Sequence, residues 1–284
     1  MQPLSAEAVQ TAVDRALQED IGSGDATTLA TVPSDSVSAA SMVARQKMVV
    51  CGLPLAEAAF RSLAAELKIT PGVADGDPIE AGRELLRIEG PTRAILTGER
   101  TALNFIQRLS GVATLTANYV DAIAGTTTQI LDTRKTTPGW RLLEKYAVAC
   151  GGGRNHRFGL HDLIMIKDNH LAALRDQPPS AIAAAVARAR AAYPDLRVEV
   201  EADTLEQVAQ AADSGADIIL LDNMPPEILT EAVKIIAGRA ETEASGGITL
   251  DTIRAVAETG VDFISVGALT HSAKAVDIGL DFLS

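Results

Sequence analysis

From Leu131 onward the chain keeps a beat that few folds can use. Short apolar runs stand at Gln129–Leu131, Leu163–Ile166, Val198–Val200, Ile218–Leu221, Ala240–Ala244 and Phe263–Val266. Rhythm more than composition marks the fifth. Val200 to Leu221 is 21 residues and Ala244 to Val266 is 22, the room needed for one strand, one helix and their turns. Helix start signals fall between the later runs: Thr204 and Gln207 at capping-box spacing, Pro225–Pro226, and Asp251 ahead of Thr252–Glu258. A repeated βα step of this length predicts a parallel sheet or a barrel.

The polar residues that close these runs point to a site. The first run ends in Asp132-Thr133-Arg134-Lys135 and the second in Lys167-Asp168-Asn169-His170. The third contains Glu199 and Glu201, the fourth ends in Asp222-Asn223, the fifth in Ser245-Gly246-Gly247 and the sixth in Gly267. Barrel enzymes build their active sites at the carboxyl ends of their strands. One polar strand end is only a wet loop; six in succession predict an active-site rim.

Composition narrows the class. Hydrophobic residues make up 47% and charged residues 22%, a globular balance that excludes a disordered chain. The net charge of −12 argues against a nucleic-acid coat or a basic membrane-surface protein, and 3% aromatics are too few for base-stacking platforms. Against that acidic background, Asp132 to His170 holds seven Lys and Arg against four Asp and Glu, together with three of the four histidines. A basic pocket in an acidic protein predicts a small polyanionic ligand, a carboxylate or a phosphate. Cys51 and Cys150 form no CxxC, the N-terminal stretch lacks the pattern of a signal peptide, and no run is long enough for a membrane span. A soluble cytoplasmic protein is expected.

Within the basic window, Arg134 and Lys135 at a strand end and Arg157 beyond Gly151-Gly152-Gly153 read as ligand groups. Arg141 and Lys145, at helical i, i+4 spacing, read as solvated helix residues, and Cys150 as a buried small residue. Ser245-Gly246-Gly247 and Gly267-Ala268, with His271 just beyond, predict a phosphate cradle of backbone N–H groups. Glu201 and Asp222 end neighbouring strands. They suit either a hydrated Mg²⁺ that bridges to a substrate phosphate or salt bridges to the basic rim. No Walker A or GxGxxG motif is present, and His161, Asp162 and His170 lack a zinc spacing.

The first hundred residues differ. Ala39–Val50 and Leu85–Ile88 read as strands with a helical stretch, Pro54–Leu67, between them, and Pro91–Ser110 begins a long helix. Asp75-Gly76-Asp77, Gly82 and Leu85-Leu86 give the turn-and-strand pattern of biotinyl or lipoyl carrier domains, without a hairpin-tip lysine to modify.

Asp132-Thr133-Arg134-Lys135-Thr136-Thr137-Pro138-Gly139, Lys145-Tyr146-Ala147-Val148, and Gly151-Gly152-Gly153 through Asn155-His156-Arg157 together resemble the quinolinate phosphoribosyltransferases. So do Ile166–His170, Leu220–Asn223, Ser245–Gly247, Val266–His271 and Thr97–Asn104, so that the likeness covers essentially the whole chain. Ala149 stands where that family often has a basic residue. The resemblance implies Mg²⁺-dependent reaction of quinolinate with phosphoribosyl pyrophosphate, giving nicotinate mononucleotide, pyrophosphate and carbon dioxide. It implies that Arg134, His156 and Arg157 bind quinolinate carboxylates, with Arg100 reaching in from the partner of a homodimer. Lys135 and Lys167 would meet the phosphoribosyl pyrophosphate and the reacting centre. Glu201 and Asp222 would hold Mg²⁺–pyrophosphate and ribose hydroxyls. Ser245, Gly246 and Gly267 would cradle the 5′-phosphate, with His271 close by. The expected fold is α/β: an N-terminal α+β domain over residues 1–112, an open sandwich like a carrier domain, and an incomplete (β/α) barrel over 113–284 whose last residues pack back on the N-terminal domain. Two other readings compete: a Schiff-base lyase on an aldolase-type barrel, with Lys135 or Lys167 as the amine, and a non-catalytic anion-binding module.

Overall fold

In a computed structural model of the chain the described residues run from Pro3 to Leu283; Met1, Gln2 and Ser284 lie outside them. In chain order come α1 (Ala6–Ile21), α2 (Ala26–Thr31), β1 (Val37–Ala44), β2 (Met48–Val49), α3 (Leu53–Arg61), β3 (Lys68–Pro71), β4 (Pro78–Ile79), β5 (Glu84–Pro91) and α4 (Thr92–Ala122). Next are β6 (Gln129–Leu131), α5 (Arg141–Cys150), β7 (Ile164–Ile166), α6 (Asp168–Ala172), α7 (Ala181–Ala192), β8 (Val198–Ala202), α8 (Leu205–Asp213) and β9 (Ile218–Asp222). Last come α9 (Pro226–Ile236), β10 (Glu241–Ser245), α10 (Ile253–Ala257), β11 (Phe263–Ser265), α11 (Ala268–His271) and β12 (Ile278–Leu283). The chain divides into two compact units, one drawn from Met1–Ala117, Thr137–Gly152 and Ser272–Ser284, the other from Asn118–Thr136 and Gly153–His271.

The first unit carries an antiparallel sheet in the order β12-β1-β5-β3 and a two-stranded β2-β4 sheet. The stretch Ala39–Val50, expected as one strand, is two. It breaks at Arg45-Gln46-Lys47, where Arg45 turns to pair with Asp281 at 2.5 Å. Beyond the break, β2 pairs with β4 instead of continuing along β5. The helix expected to reach Leu67 stops at Arg61, and Lys68–Pro71 pairs with β5. In α1, the Ser5 side chain accepts from the Ala8 N–H, and Val9, Val13 and Leu17 form the buried stripe.

Lys145 overturns the expectation of a solvated residue. It is 1% exposed, beside Glu144 at 0%, because α5 buries nearly every face from Leu143 to Val148. Glu144 accepts from Arg108 Nη2 at 3.0 Å and from the Thr137 N–H at 3.0 Å. Helical spacing alone does not reveal how many neighbours a helix has.

The second unit is the six-stranded parallel sheet β6-β11-β10-β9-β8-β7, the order that successive βα steps produce when one strand returns beside the first. All six predicted apolar runs are its strands. The outward faces of β8 to β11, with Val198, Val200, Ile219, Leu221, Ala244 and Ile264 at 0–1% exposure, pack under Val208, Leu229, Ala232 and Ile253 of the helices. The opposite face is polar, and residues from the edge strand β7 and from the turn after the other edge strand, β6, line one cavity with residues from the central strands. The sheet therefore curls into an incomplete barrel. Helix α8 starts at its expected cap, Thr204, whose side chain accepts from the Gln207 N–H at 3.3 Å; Gln207 reaches back to the Asp203 N–H at 2.9 Å. Helix α9 starts at Pro226. At α10 the cap position is Thr252, one residue past the expected Asp251, because the Thr249–Thr252 turn takes the Thr252 hydroxyl at 3.0 Å.

Candidate active site

Period-two alternation decides which side chains enter the barrel. Met165 and Lys167 share the inward face of β7 and its end, Glu199 and Glu201 that of β8, Leu220 and Asp222 that of β9, and Glu243 and Ser245 that of β10. With Thr133, Arg134, Lys135, His156, Arg157 and Ser265, these residues, Glu199 apart, line a cavity of about 370 Å³. A larger cavity of about 640 Å³ lies in the first unit along α1, but it sets Arg15 against Glu7, Glu19 and Asp20, the wrong sign for a polyanion.

The cationic side of the smaller cavity is built by β6 and the segment after Gly153. Asp132, fully buried, accepts from the His156 N–H at 2.8 Å and from Asn155 Nδ2 at 2.9 Å, which fastens that segment to the end of β6. Arg157 donates from Nη1 to the Leu163 carbonyl at 3.2 Å. Burial, then the nearby charge of Arg134, pulls the Arg157 guanidinium below its usual range. Arg134 Nε is buried and has no hydrogen-bond partner among the described residues. Two guanidiniums near enough to repel, one with an unused donor, are set for a ligand with more than one negative charge.

The metal-compatible side is built by β7, β8 and β9. Lys167 Nζ donates to Glu201 Oε2 at 2.7 Å. Asp222 accepts from Asn223 Nδ2 at 2.6 Å. Burial raises the Asp222 carboxyl above its usual range and the charge of Glu201 adds to the rise, while Asn223 and Lys167 oppose it. Two neighbouring carboxylates of this kind are a donor set that a divalent cation would relieve.

At the Gly-rich turns the lack of a side chain makes room for neighbouring side chains. Gly246 has φ +99°, and a Cβ there would stand 2.1 Å from Asn223 Oδ1. A Cβ on Gly267 would meet Lys135 Cδ at 3.0 Å and His271 Nε2 at 3.1 Å, so these two side chains flank one bare backbone segment. Thr270 Oγ1 donates to the Lys135 carbonyl at 2.7 Å, joining the turn after β11 to that after β6. Of the twelve residues singled out in the sequence, eight line the cavity and Gly246, Gly267 and His271 belong to its turns. Arg100 stands apart: it lies exposed on α4 in the first unit.

Sequence reasoning missed Glu243 and gave Glu199 no role beyond a polar strand residue. His156 Nε2 lies 3.2 Å from Glu199 Oε2 and 3.2 Å from Glu243 Oε2, and Nδ1 accepts the Arg157 N–H at 2.6 Å. Burial opposes charge on the ring, but the two carboxylates outweigh it and push His156 up to about 10; burial also raises Glu199. Because Nδ1 accepts the Arg157 N–H, the hydrogen of the ring lies on the carboxylate side, at Nε2. His156, expected to bind a substrate carboxylate, lines the cavity with its ring nitrogens facing Glu199, Glu243 and the Arg157 N–H. A period-two reading of Glu199-Val200-Glu201 and Glu243-Ala244-Ser245 would have placed both glutamates inside.

Comparison with known proteins agrees with this geometry. The family model "Quinolinate phosphoribosyl transferase, N-terminal domain" matches residues 25–110 and "Quinolinate phosphoribosyl transferase, C-terminal domain" matches residues 112–281. The chain is 45% identical over 264 residues to the probable nicotinate-nucleotide pyrophosphorylase (carboxylating) of Bacillus subtilis (strain 168), covering 93% of this chain and 89% of that one. It is 43% identical to the nicotinate-nucleotide pyrophosphorylase (carboxylating) of Mycobacterium leprae (strain TN), with 97% of each covered. Among solved structures, the nicotinate-nucleotide pyrophosphorylase of Francisella tularensis superposes with a TM-score of 0.93 at 41% identity, covering 99% of this chain and 98% of that one. NadC of Streptococcus pyogenes does so with a TM-score of 0.94 at 41% identity over the full length of both. With both family models covering almost all of it, the chain belongs to the quinolinate phosphoribosyl transferase family.

Proposed function

We propose that this protein transfers the phosphoribosyl group of phosphoribosyl pyrophosphate to quinolinate and removes the neighbouring carboxylate, forming nicotinate mononucleotide, pyrophosphate and carbon dioxide for NAD biosynthesis. The observation that carries the reading is the pairing, in one cavity, of Arg134 and Arg157 with the Glu201–Asp222 acidic pair opposite. The first two suit a dicarboxylate. The second suits a hydrated Mg²⁺ on pyrophosphate, which would neutralise charge on the leaving group.

The chain's own groups supply the rest. Arg134 and Arg157 hold the two carboxylates and so aim the pyridine nitrogen at the anomeric carbon, an orientation worth more than affinity alone. Lys135 and Lys167 stabilise the negative charge that builds on departing pyrophosphate. Ser245 and the backbone at Gly246 and Gly267 receive the 5′-phosphate, with His271 beside them. Once the nitrogen is alkylated, the ring is cationic and accepts the electron pair of the breaking C–carboxylate bond.

The same reading makes the enzyme a cytoplasmic homodimer with Arg100 acting in the partner's site. Its support is physical: Arg100 is exposed with no hydrogen bond or ion pair among the described residues, and the two buried cysteines, Cys51 and Cys150, form no disulfide. No helix among the described residues is long and apolar enough to cross a membrane. The deciding experiment is carbon dioxide release from carboxyl-labelled quinolinate. Release that requires both phosphoribosyl pyrophosphate and Mg²⁺ is expected; none with both present overturns the reading.

A further inference from the structure

At the cavity wall and just behind it stand two carboxylates that the reaction above does not use. Glu199 on β8 and Glu243 on β10 are 0% and 1% exposed, and none of their four oxygens has an aligned hydrogen-bond partner among the described residues. They stand on alternate strands, either side of β9, where inward side chains of a barrel meet in one layer. Both converge on one atom, Nε2 of His156. Two buried carboxylates cost more than an apolar pair of the same volume, so stability alone does not account for them.

Their role is set by the other side of the ring. Two carboxylates 3.2 Å from Nε2, though not aligned for a hydrogen bond, favour the ring hydrogen on that nitrogen by their charge, which leaves the Nδ1 lone pair for the Arg157 N–H at 2.6 Å. With the opposite tautomer, Nδ1–H and the Arg157 N–H would collide, and the segment carrying Arg157 would have to move. Arg157 lines the cavity next to Arg134.

We propose that Glu199 and Glu243 are positioning residues for the dicarboxylate side of the pocket: through His156 they fix the backbone, and hence the side-chain direction, of Arg157. The anion's identity rests on the phosphoribosyltransferase reading; the relay itself does not. Its mark is that the glutamates act on quinolinate, act little on phosphoribosyl pyrophosphate, and act only while His156 is present.

The test is a double-mutant cycle with Glu199→Gln, Glu243→Gln and His156→Ala, read as KM for each substrate and as quinolinate Kd by calorimetry. A glutamine can turn either its carbonyl or its amide toward Nε2, so each replacement weakens the selection of the tautomer and replacing both glutamates removes it. Each glutamine variant is expected to raise the quinolinate KM about 10-fold and to leave that for phosphoribosyl pyrophosphate within about twofold. In the His156→Ala background the same changes should add less than about twofold, since residues acting in series are not additive. Independent, multiplying losses, or KM values that rise together for both substrates, overturn the proposal. Nitrogen-15 spectra of the histidine side chains give a readout without substrate, with His156 assigned by its loss in His156→Ala. Wild-type protein should show the Nε2–H pattern for His156 and the Glu199→Gln/Glu243→Gln double variant a mixture; an unchanged pattern in the double variant overturns the relay. A wild type that releases no carbon dioxide from quinolinate, but shows this tautomer shift, sinks the assigned reaction and leaves the relay standing. If one glutamine variant fails to fold, the other carries the same cycle.

Discussion

Lys167 Nζ and Glu201 Oε2 lie 2.7 Å apart at the ends of neighbouring strands, which ties the cation assigned to the leaving group to one of the carboxylates assigned to the metal. Lys167→Met should therefore lower kcat about 10²-fold, the usual scale for removing one group that stabilises charge in the transition state, with a smaller change in quinolinate KM. Steady-state kinetics with each substrate varied in turn checks this. A loss confined to quinolinate KM would make Lys167 a substrate-binding group only.

Asp222, raised by burial and by Glu201, should matter through the metal. Asp222→Asn is expected to raise the Mg²⁺ concentration for half-maximal rate about 10-fold and to leave quinolinate Kd within about twofold. Metal titrations of rate, alongside calorimetry with quinolinate alone, separate the two. Unchanged Mg²⁺ dependence would reduce Asp222 to a rim carboxylate.

Nicotinate, with one carboxylate, should be used about 10² times less efficiently than quinolinate, because it would leave a buried guanidinium donor such as Arg134 Nε unpaired. In Arg134→Ala the gap should narrow. Competition between the two acids, read as the ratio of kcat/KM values, is the measurement; equal values for wild type would count against a dicarboxylate pocket.

Mixed dimers test the role assigned to Arg100. Homodimers of Arg100→Ala and of Lys135→Ala should each be nearly inactive, since every site lacks one of the two groups. A twofold heterodimer has one site with both lesions and one with neither, so mixing after reversible dissociation should restore activity. Heterodimers seen by native mass spectrometry without any gain in rate would rule out action across the interface.

A carboxylate outside the cavity bears on stability. Burial acts to raise Asp217, but the Val198 N–H at 2.7 Å and Arg190 at 2.9 Å outweigh it and hold the folded carboxyl below its usual range. Its contribution is thus complete above the unfolded-state value of about 3.9 and is lost as pH falls through the lower folded value. Asp217→Asn should cost about 1 kcal/mol at pH 7, and the difference should shrink only below about pH 4. Urea midpoints across pH 3 to 7 show whether the two curves converge there.

The sequence reading and the structure meet and part for identifiable reasons. Strands β6 to β11 were legible because each is a short apolar run closed by polar residues, and their spacing admits one helix per step. Lys145 was misread because its burial depends on what surrounds α5, and i, i+4 spacing carries no such information. Strand β3 has one strongly apolar residue, Ile69, and β12 falls outside the repeated βα step; partners distant in the chain make them strands. The rim residues were legible as charge at strand ends. The Glu199–His156–Glu243 cluster was not, because it joins three segments across the barrel and takes its chemistry from burial.

Strand β12 pairs with β1 from Ala39 opposite Leu283 to Ala44 opposite Ile278, so the sheet of the first unit is closed by a strand made after all six strands of the second. On the ribosome, β1 must therefore wait with one edge open while well over two hundred further residues are synthesised. An unpaired strand edge kept open that long is a site for association with other nascent chains. Folding of this protein thus carries a built-in order: the barrel can mature during synthesis, and the sheet that was begun first is finished last.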